Sequence, residues 1–229
     1  MIAAWNEREN IEVLTRRLLD VLCATCGDAF EIVYVIEGDD GTREIVEAMR
    51  SPNIRVLYEA SPRGLGAAFR RGFAAIGADA DVVVTMDADL NHQPEEIPRL
   101  VDALRRNGAD IVVGSRVVRG SRVTGTPAWK RMLSGTLNAI MQSLFGGTLR
   151  DKTSGFRVYR AEVLRTVKHE QNDFSFLPEI AIRAQKAGYR VIEEPIHFIY
   201  RIEGKSKMKF WTTSVSYLSL LRTWFKRDN

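Results

Sequence analysis

Two aspartates, Asp87 and Asp89, stand one residue apart in VVVTMDADLNHQPEEI, where an apolar run stops. Side chains of an extended segment repeat every two residues, so both carboxylates point to one side. Held that close they repel, and both stay ionised only with positive charge beside them. A divalent cation meets that need: Mg²⁺ takes one or two carboxylates together with substrate phosphate oxygens, and Mn²⁺ accepts the same oxygen ligands. The alternative is a pair that merely caps a strand-to-helix turn, and a DxD alone does not separate the two. Two other candidates are weaker. Cys23 and Cys26 form CATC near the end of a helical pattern, whereas a redox pair normally opens a helix and zinc would need two more ligands. GLGAAF follows a strand as a dinucleotide fingerprint does, but Phe69 stands where the third glycine or alanine belongs, which argues against an oxidoreductase.

The elements that must position the aspartates are legible from period. Ile11, Leu14, Leu18, Val21 and Leu22 would share one face of a helix, and EIVYVI from Glu31 to Ile36 is a β-branched and aromatic run ending in the turn EGDDGT. A helix from Arg43 to Met49, the strand IRVLYE, the helix GLGAAFRRGFAAI, the strand VVVTMD, the helix PEEIPRLVDAL and the strand DIVVGSR follow. This alternation predicts an α/β fold with a mostly parallel, doubly wound sheet, which binds ligands beyond the carboxyl ends of its strands. After Arg116 the alternation breaks into a helix over PAWKRMLSGTLNAIMQSLFGG, Pro127 to Gly147, an irregular DKTSGFRVYR, a helix near Phe176 to Ala187 and a short YRVIEEPIHFIYR. This half reads as an elaboration packed on the sheet.

Composition narrows the class. The 229 residues are 45% hydrophobic and 27% charged, enough for one sizeable core and too charged for a bundle of membrane spans. No run reaches the roughly 18 apolar residues of a spanning helix, and the opening residues turn polar too early for a secretory signal, so a cytoplasmic protein is expected. The net charge of +4 is concentrated after residue 200, where seven basic residues face two acidic ones. That stretch also places Trp211, Val215, Leu218, Leu221 and Phe225 on one helical stripe, the pattern of a helix lying on a membrane surface or packed on its own protein. No nucleic-acid-binding module accompanies the basic cluster.

The motifs AAWNERENI, EGDDGT, RGLGAAFRRGF, MDADLNHQPEEIPRLV, GSR, DKTSGFRVYR and RIEGKSKM, in that order and spacing, resemble those of family 2 glycosyltransferases with the glycosyltransferase-A (GT-A) fold. Within that family they are most similar to the polyprenyl-phosphate (dolichyl-phosphate) mannosyltransferase group, over essentially the whole chain. The resemblance implies inverting transfer of mannose from GDP-mannose to a polyprenyl phosphate, with Mg²⁺ or Mn²⁺ at Asp87, Asp89 and Asn91. Asn91 stands where the family usually has glutamine.

It further implies donor contacts from Ala3, Trp5, Glu7, Val35, Glu37 and Ala88, with Arg201 and Lys207 on the diphosphate. Arg116, Lys130, Arg131 and Ser134 would form a cradle for the acceptor phosphate. The implied organisation is a catalytic domain over residues 1–205 and an amphipathic segment over 206–229, on the cytoplasmic face of a membrane or beside a membrane-embedded subunit. Ala3 and Trp5 replace a usual proline and tyrosine, and Ile36 and Glu37 replace an aspartate pair. UDP-glucose as donor and a non-catalytic nucleotide-sugar binder therefore stay open as alternatives.

Overall fold

The computed structural model describes residues 1–200, the Lys130 side chain excepted. The first half alternates as expected: β1 (Ile2–Trp5), α1 (Arg8–Cys26), β2 (Ile32–Glu37), α2 (Thr42–Ala48), β3 (Ile54–Glu59), α3 (Leu65–Ala74), β4 (Val82–Asp87), α4 (Ile97–Arg106) and β5 (Ile111–Ser115). Ile11, Leu14 and Leu18 are the buried face of α1. Every residue of β2 is buried, as in a parallel strand covered on both sides. The second half supplies β6 (Arg122–Thr124), α5 (Ala128–Phe145), β7 (Arg157–Arg160), α6 (Ala161–Thr166), α7 (Phe176–Lys186), β8 (Val191–Pro195) and β9 (His197–Ile199).

Seven strands form one sheet in the order β3-β2-β1-β4-β7-β5-β8, and β6 pairs with β9 in a small second sheet. All neighbours in the large sheet are parallel except β7, which runs antiparallel between β4 and β5. The chain winds outward from β1 through β2 to β3, then crosses back to β4 on the other side of β1. The junction of β1 and β4 is therefore the switch point where such sheets open a crevice.

Register fixes what faces that crevice. Val35, Ala3 and Asp87 are paired across β2, β1 and β4, and Trp5 is paired with Glu37. Paired residues share a face and positions two apart share it too. Ala3, Trp5, Val35, Glu37 and Asp87 thus lie on one side of the sheet, where Met1 and Ala3 pack against Phe69, Phe176 and Leu177 of α3 and α7. Ile2, Ala4, Tyr34, Ile36 and Met86 point the other way, into the core under α1 and α4.

The irregular reading of DKTSGFRVYR is corrected by β7: the second half completes the sheet instead of packing on it. The misleading residue is Arg157, a charge at the start of the strand that is nevertheless fully buried. Its guanidinium donates to the carbonyls of Ser154, Leu177 and Lys152 at 2.8, 2.6 and 2.7 Å, which removes the usual objection to burying it. Helix α5 buries Met141 and Phe145 against Ile182 of α7. On another side Trp129, Met132, Ile140 and Leu144 are 59%, 72%, 51% and 43% exposed, so the helix carries a second apolar stripe that the described residues leave open. No helix among the described residues is long and apolar enough to cross a membrane.

Candidate active site

Strand β4 ends on Asp87, and the next turn carries Asp89 and Asn91. Leu90 holds this turn in the left-handed region at φ 61°. The Asn91 main-chain N–H donates to Asp89 Oδ1 at 3.0 Å and its amide nitrogen to Asp89 Oδ2 at 2.6 Å. With the nitrogen engaged, the carbonyl oxygen is the atom through which Asn91 could ligate a cation. The Asp87 side chain remains 38% exposed at the crevice, open to a ligand.

Loss of solvent in the crevice pushes the Asp87 carboxyl above the usual carboxylate range, against the pull of Arg116. The same loss raises Asp89, and the charge of Asp87 raises it further. Two carboxylates strained in this way are relieved by a cation between them. Room for the Asp87 carboxylate is made by Gly155, where a Cβ would stand 2.7 Å from Asp87 Oδ1.

Among the described residues no three His, Cys, Asp or Glu side chains form a metal cluster. The donor set is two carboxylates and an amide oxygen, which fits Mg²⁺ or Mn²⁺ bound jointly with substrate oxygens and not a closed protein cage.

His92, one residue further, is 1% exposed, and neither ring nitrogen has a hydrogen-bond partner among the described residues. Burial pushes its pKa down to about 4, so the ring is neutral at pH 7.

At the other end of the crevice Trp5 is 42% exposed beside Glu37, which is 6% exposed and accepts the Arg63 main-chain N–H at 3.2 Å. Burial raises the Glu37 pKa, partly offset by that hydrogen bond. Glu7 accepts from the Asn10 amide at 2.9 Å, and its N–H donates to Thr42 Oγ at 2.9 Å, tying the start of α1 to α2. Ala88 and Val35, also expected to contact the donor, are 4% and 0% exposed.

Arg116, expected to grip an acceptor phosphate, is already held. It donates to both oxygens of Asp151 at 2.8 and 2.7 Å, and again through its main-chain N–H at 3.0 Å. A further bond at 2.7 Å goes to Thr153. Asp151 is fully buried, and Arg116 keeps 22% exposure. Burial alone would raise the Asp151 carboxyl, but the Arg116 charge and hydrogen bonds outweigh it and hold the group down at about 2.

Sequence reading missed Asp151, although it lies in the quoted DKTSGF motif. The main-chain N–H groups of Arg150 and Asp151 donate to Glu193 at 2.8 Å each. The N–H of the adjacent Lys152 donates to Asn138 of α5 at 3.1 Å, which links that helix to this pair. Arg131 is exposed and Ser134 half-buried on the first turns of α5. Arg201, Lys207 and the stripe from Trp211 to Phe225 lie outside the described residues, as does the Lys130 side chain.

With this geometry in place, residues 1–168 match the model of "Glycosyl transferase family 2". The chain is a family 2 glycosyltransferase. An undecaprenyl-phosphate mannosyltransferase of Micrococcus luteus is 34% identical over 214 residues, 91% of this chain and 86% of that protein. A polyprenol monophosphomannose synthase of Mycolicibacterium smegmatis is 37% identical over 216 residues, 91% and 79% of the two chains. Among solved structures, glucosyl-3-phosphoglycerate synthase of Mycobacterium tuberculosis, in complex with Mn²⁺, UDP and glucosyl-3-phosphoglycerate, superposes with a TM-score of 0.72 at 20% identity, over the whole of this chain and 81% of that one. The last likeness establishes the GT-A architecture of this glycosyltransferase.

Proposed function

We propose that this glycosyltransferase moves mannose from GDP-mannose to a polyprenyl phosphate, with inversion at the anomeric carbon and with Mg²⁺ or Mn²⁺ held by Asp87, Asp89 and Asn91. The observation that carries the reading is the juxtaposition of opposite charges on one crevice. A strained carboxylate pair at the end of β4 lies within the field of Arg116, which is oriented by a buried aspartate. The names of the two mannosyl-transferring relatives support the choice of sugar and lipid.

When bound, the cation would supply Lewis-acid stabilisation of the negative charge that gathers on the departing diphosphate. The protein's own part is binding and orientation. Trp5 offers an indole face to the nucleobase, Glu37 and Glu7 offer carboxylates to the base and ribose end, and Arg116 with Arg131 and Ser134 receives the acceptor phosphate. That phosphate is an anion at neutral pH and needs no general base, so positioning in line with the anomeric carbon is the main contribution. Asp151 cancels part of the Arg116 charge, which makes Arg116 a directional donor more than a bulk positive charge. Lys130, Arg201 and Lys207 complete the set by resemblance.

A polyprenyl acceptor requires contact with a membrane surface, and the exposed stripe of Trp129, Met132, Ile140 and Leu144 beside Arg131 supports peripheral docking there. The cytoplasmic face, and residues 206–229 as a second docking segment or subunit contact, belong to the same proposal.

Calorimetric titration with GDP-mannose, and in parallel UDP-glucose, with Mn²⁺ and with chelator, tests it. Metal-dependent binding of GDP-mannose alone is expected. A preference for UDP-glucose would replace the donor, and binding of neither nucleotide would leave a non-catalytic relative. Asp89→Ala should abolish metal-dependent turnover while leaving the melting temperature near that of the unaltered protein; full activity in this variant sinks the metal assignment.

A further inference from the structure

His92 sits in the same turn as the proposed cation ligands, and its environment is not that of a packing residue. The ring lies between Phe156 and Phe198, with centroid separations of 5.2 and 5.4 Å. An apolar ring in this slot would leave nothing unsatisfied, whereas the imidazole buries two nitrogens without a hydrogen-bond partner among the described residues. Stability therefore does not account for a histidine here. The nearest charged atom is informative: Nδ1 stands 3.5 Å from Asp87 Oδ2, just beyond a formed hydrogen bond.

The surroundings leave the ring little freedom. Phe198 packs against the imidazole on one side and takes the Arg116 guanidinium over its face at 5.5 Å. The main-chain N–H of Ile199, next in β9, donates to the Asn91 carbonyl at 3.0 Å and pins the turn that bears His92. Phe156 is tied from its own carbonyl to the Gly114 N–H at 2.8 Å. The Gly155 carbonyl accepts from Thr85 on β4 at 2.9 Å. These contacts hold the ring in its slot, with Nδ1 beside Asp87 Oδ2 and with the Asp89 carboxylate also acting on it. The Asp87 side chain is 38% exposed, and a small movement of its carboxylate would bring Oδ2 into hydrogen-bond range of Nδ1.

We infer that His92 is a positioning residue for the cation site: its Nδ1–H donates to Asp87 Oδ2 and holds that carboxylate with Oδ1 presented to the metal. A histidine that orients a ligating carboxylate acts through it and touches neither donor nor acceptor. The inference rests on the cation site proposed above.

The test is Mn²⁺ titration, followed by calorimetry, of the full chain with GDP present, on the unaltered protein, His92→Phe, His92→Leu and Asp89→Ala, with melting temperatures measured alongside. His92→Phe should weaken Mn²⁺ binding by about 10- to 100-fold, with a melting temperature equal to or above that of the unaltered protein. A packing role predicts the reverse, a lower melting temperature with unchanged metal affinity, and that result overturns the inference. If the larger phenyl ring prevents folding, His92→Leu is read by the same criterion. Metal binding that is absent from the unaltered protein, or unchanged in Asp89→Ala, removes the cation site itself and this inference with it. Normal binding that is lost in Asp89→Ala but intact in both His92 variants removes only the role of His92.

Discussion

Replacing Asp151 by asparagine asks how much the fold relies on the Arg116 pair. The carboxyl titrates at about 2 in the folded protein against an ordinary value near 3.8. That gap corresponds to roughly 2–3 kcal/mol of stability at pH 7. Asparagine behaves as a permanently protonated aspartate that also turns an N–H toward the guanidinium. The loss should therefore be about that size, below the 3–5 kcal/mol typical of a fully buried broken pair, because Arg116 is 22% exposed and can recruit water. For a chain of this size the expected drop in melting temperature is roughly 5–10 °C.

The pH dependence carries the sign. A depressed carboxyl stabilises above its unfolded pKa and loses that contribution as pH falls through its folded value, so the deficit of the variant should be full at pH 7 and shrink to roughly half at pH 3. Urea unfolding of both proteins at the two pH values measures it. A variant that unfolds within about 0.5 kcal/mol of the unaltered protein at pH 7, or with the same deficit at pH 3, refutes the assignment of Asp151 as the buried anchor of Arg116. A double-mutant cycle with Arg116→Met should recover most of the deficit as coupling energy.

Gly155→Ala places a Cβ 2.7 Å from Asp87 Oδ1; nucleotide affinity in the presence of Mn²⁺ should fall by about an order of magnitude or more, since small displacements of a site group are costly, and unchanged affinity would show that Asp87 can shift freely. Trp129→Ser with Met132→Ser removes two side chains that are 59% and 72% exposed. Binding to anionic vesicles in a sedimentation assay should drop while the unfolding free energy stays within about 0.5 kcal/mol, and undiminished vesicle binding would count against α5 as a docking surface. Arg157→Met leaves three carbonyls without their donor, those of Lys152 and Ser154 in the loop before β7 and that of Leu177 in α7. It should destabilise the protein by about 3 kcal/mol or more in a denaturant titration, and a mild effect would mean that β7 is held by its strand pairing alone.

The alternation from α1 to β5 was legible because each element buries one periodic face, and periodicity is local. The same holds for Asp87, Asp89 and Asn91, whose spacing within one turn already brings them together. Asp151 was not legible, since it stands 35 residues from Arg116 and only the fold closes that gap. Arg157 concealed β7 for a related reason. A charge signals surface until the three carbonyls that satisfy it are in place.

Helix α5 shows the same division within a single element. Its pattern spells an amphipathic helix, yet Leu137, Met141 and Phe145 on one side and Met132, Ile140 and Leu144 on the other are equally apolar. Only the packing of α7 decides which set is buried. The sequence by itself therefore determined the alternating strands and helices of the first half and the carboxylates at the end of β4, products of short-range period and spacing. The tertiary structure alone decided which charges are neutralised in pairs, which histidine beside Asp87 has no hydrogen-bond partner among the described residues, and which apolar face the described residues leave exposed, because those depend on burial and on contacts between residues far apart in the chain.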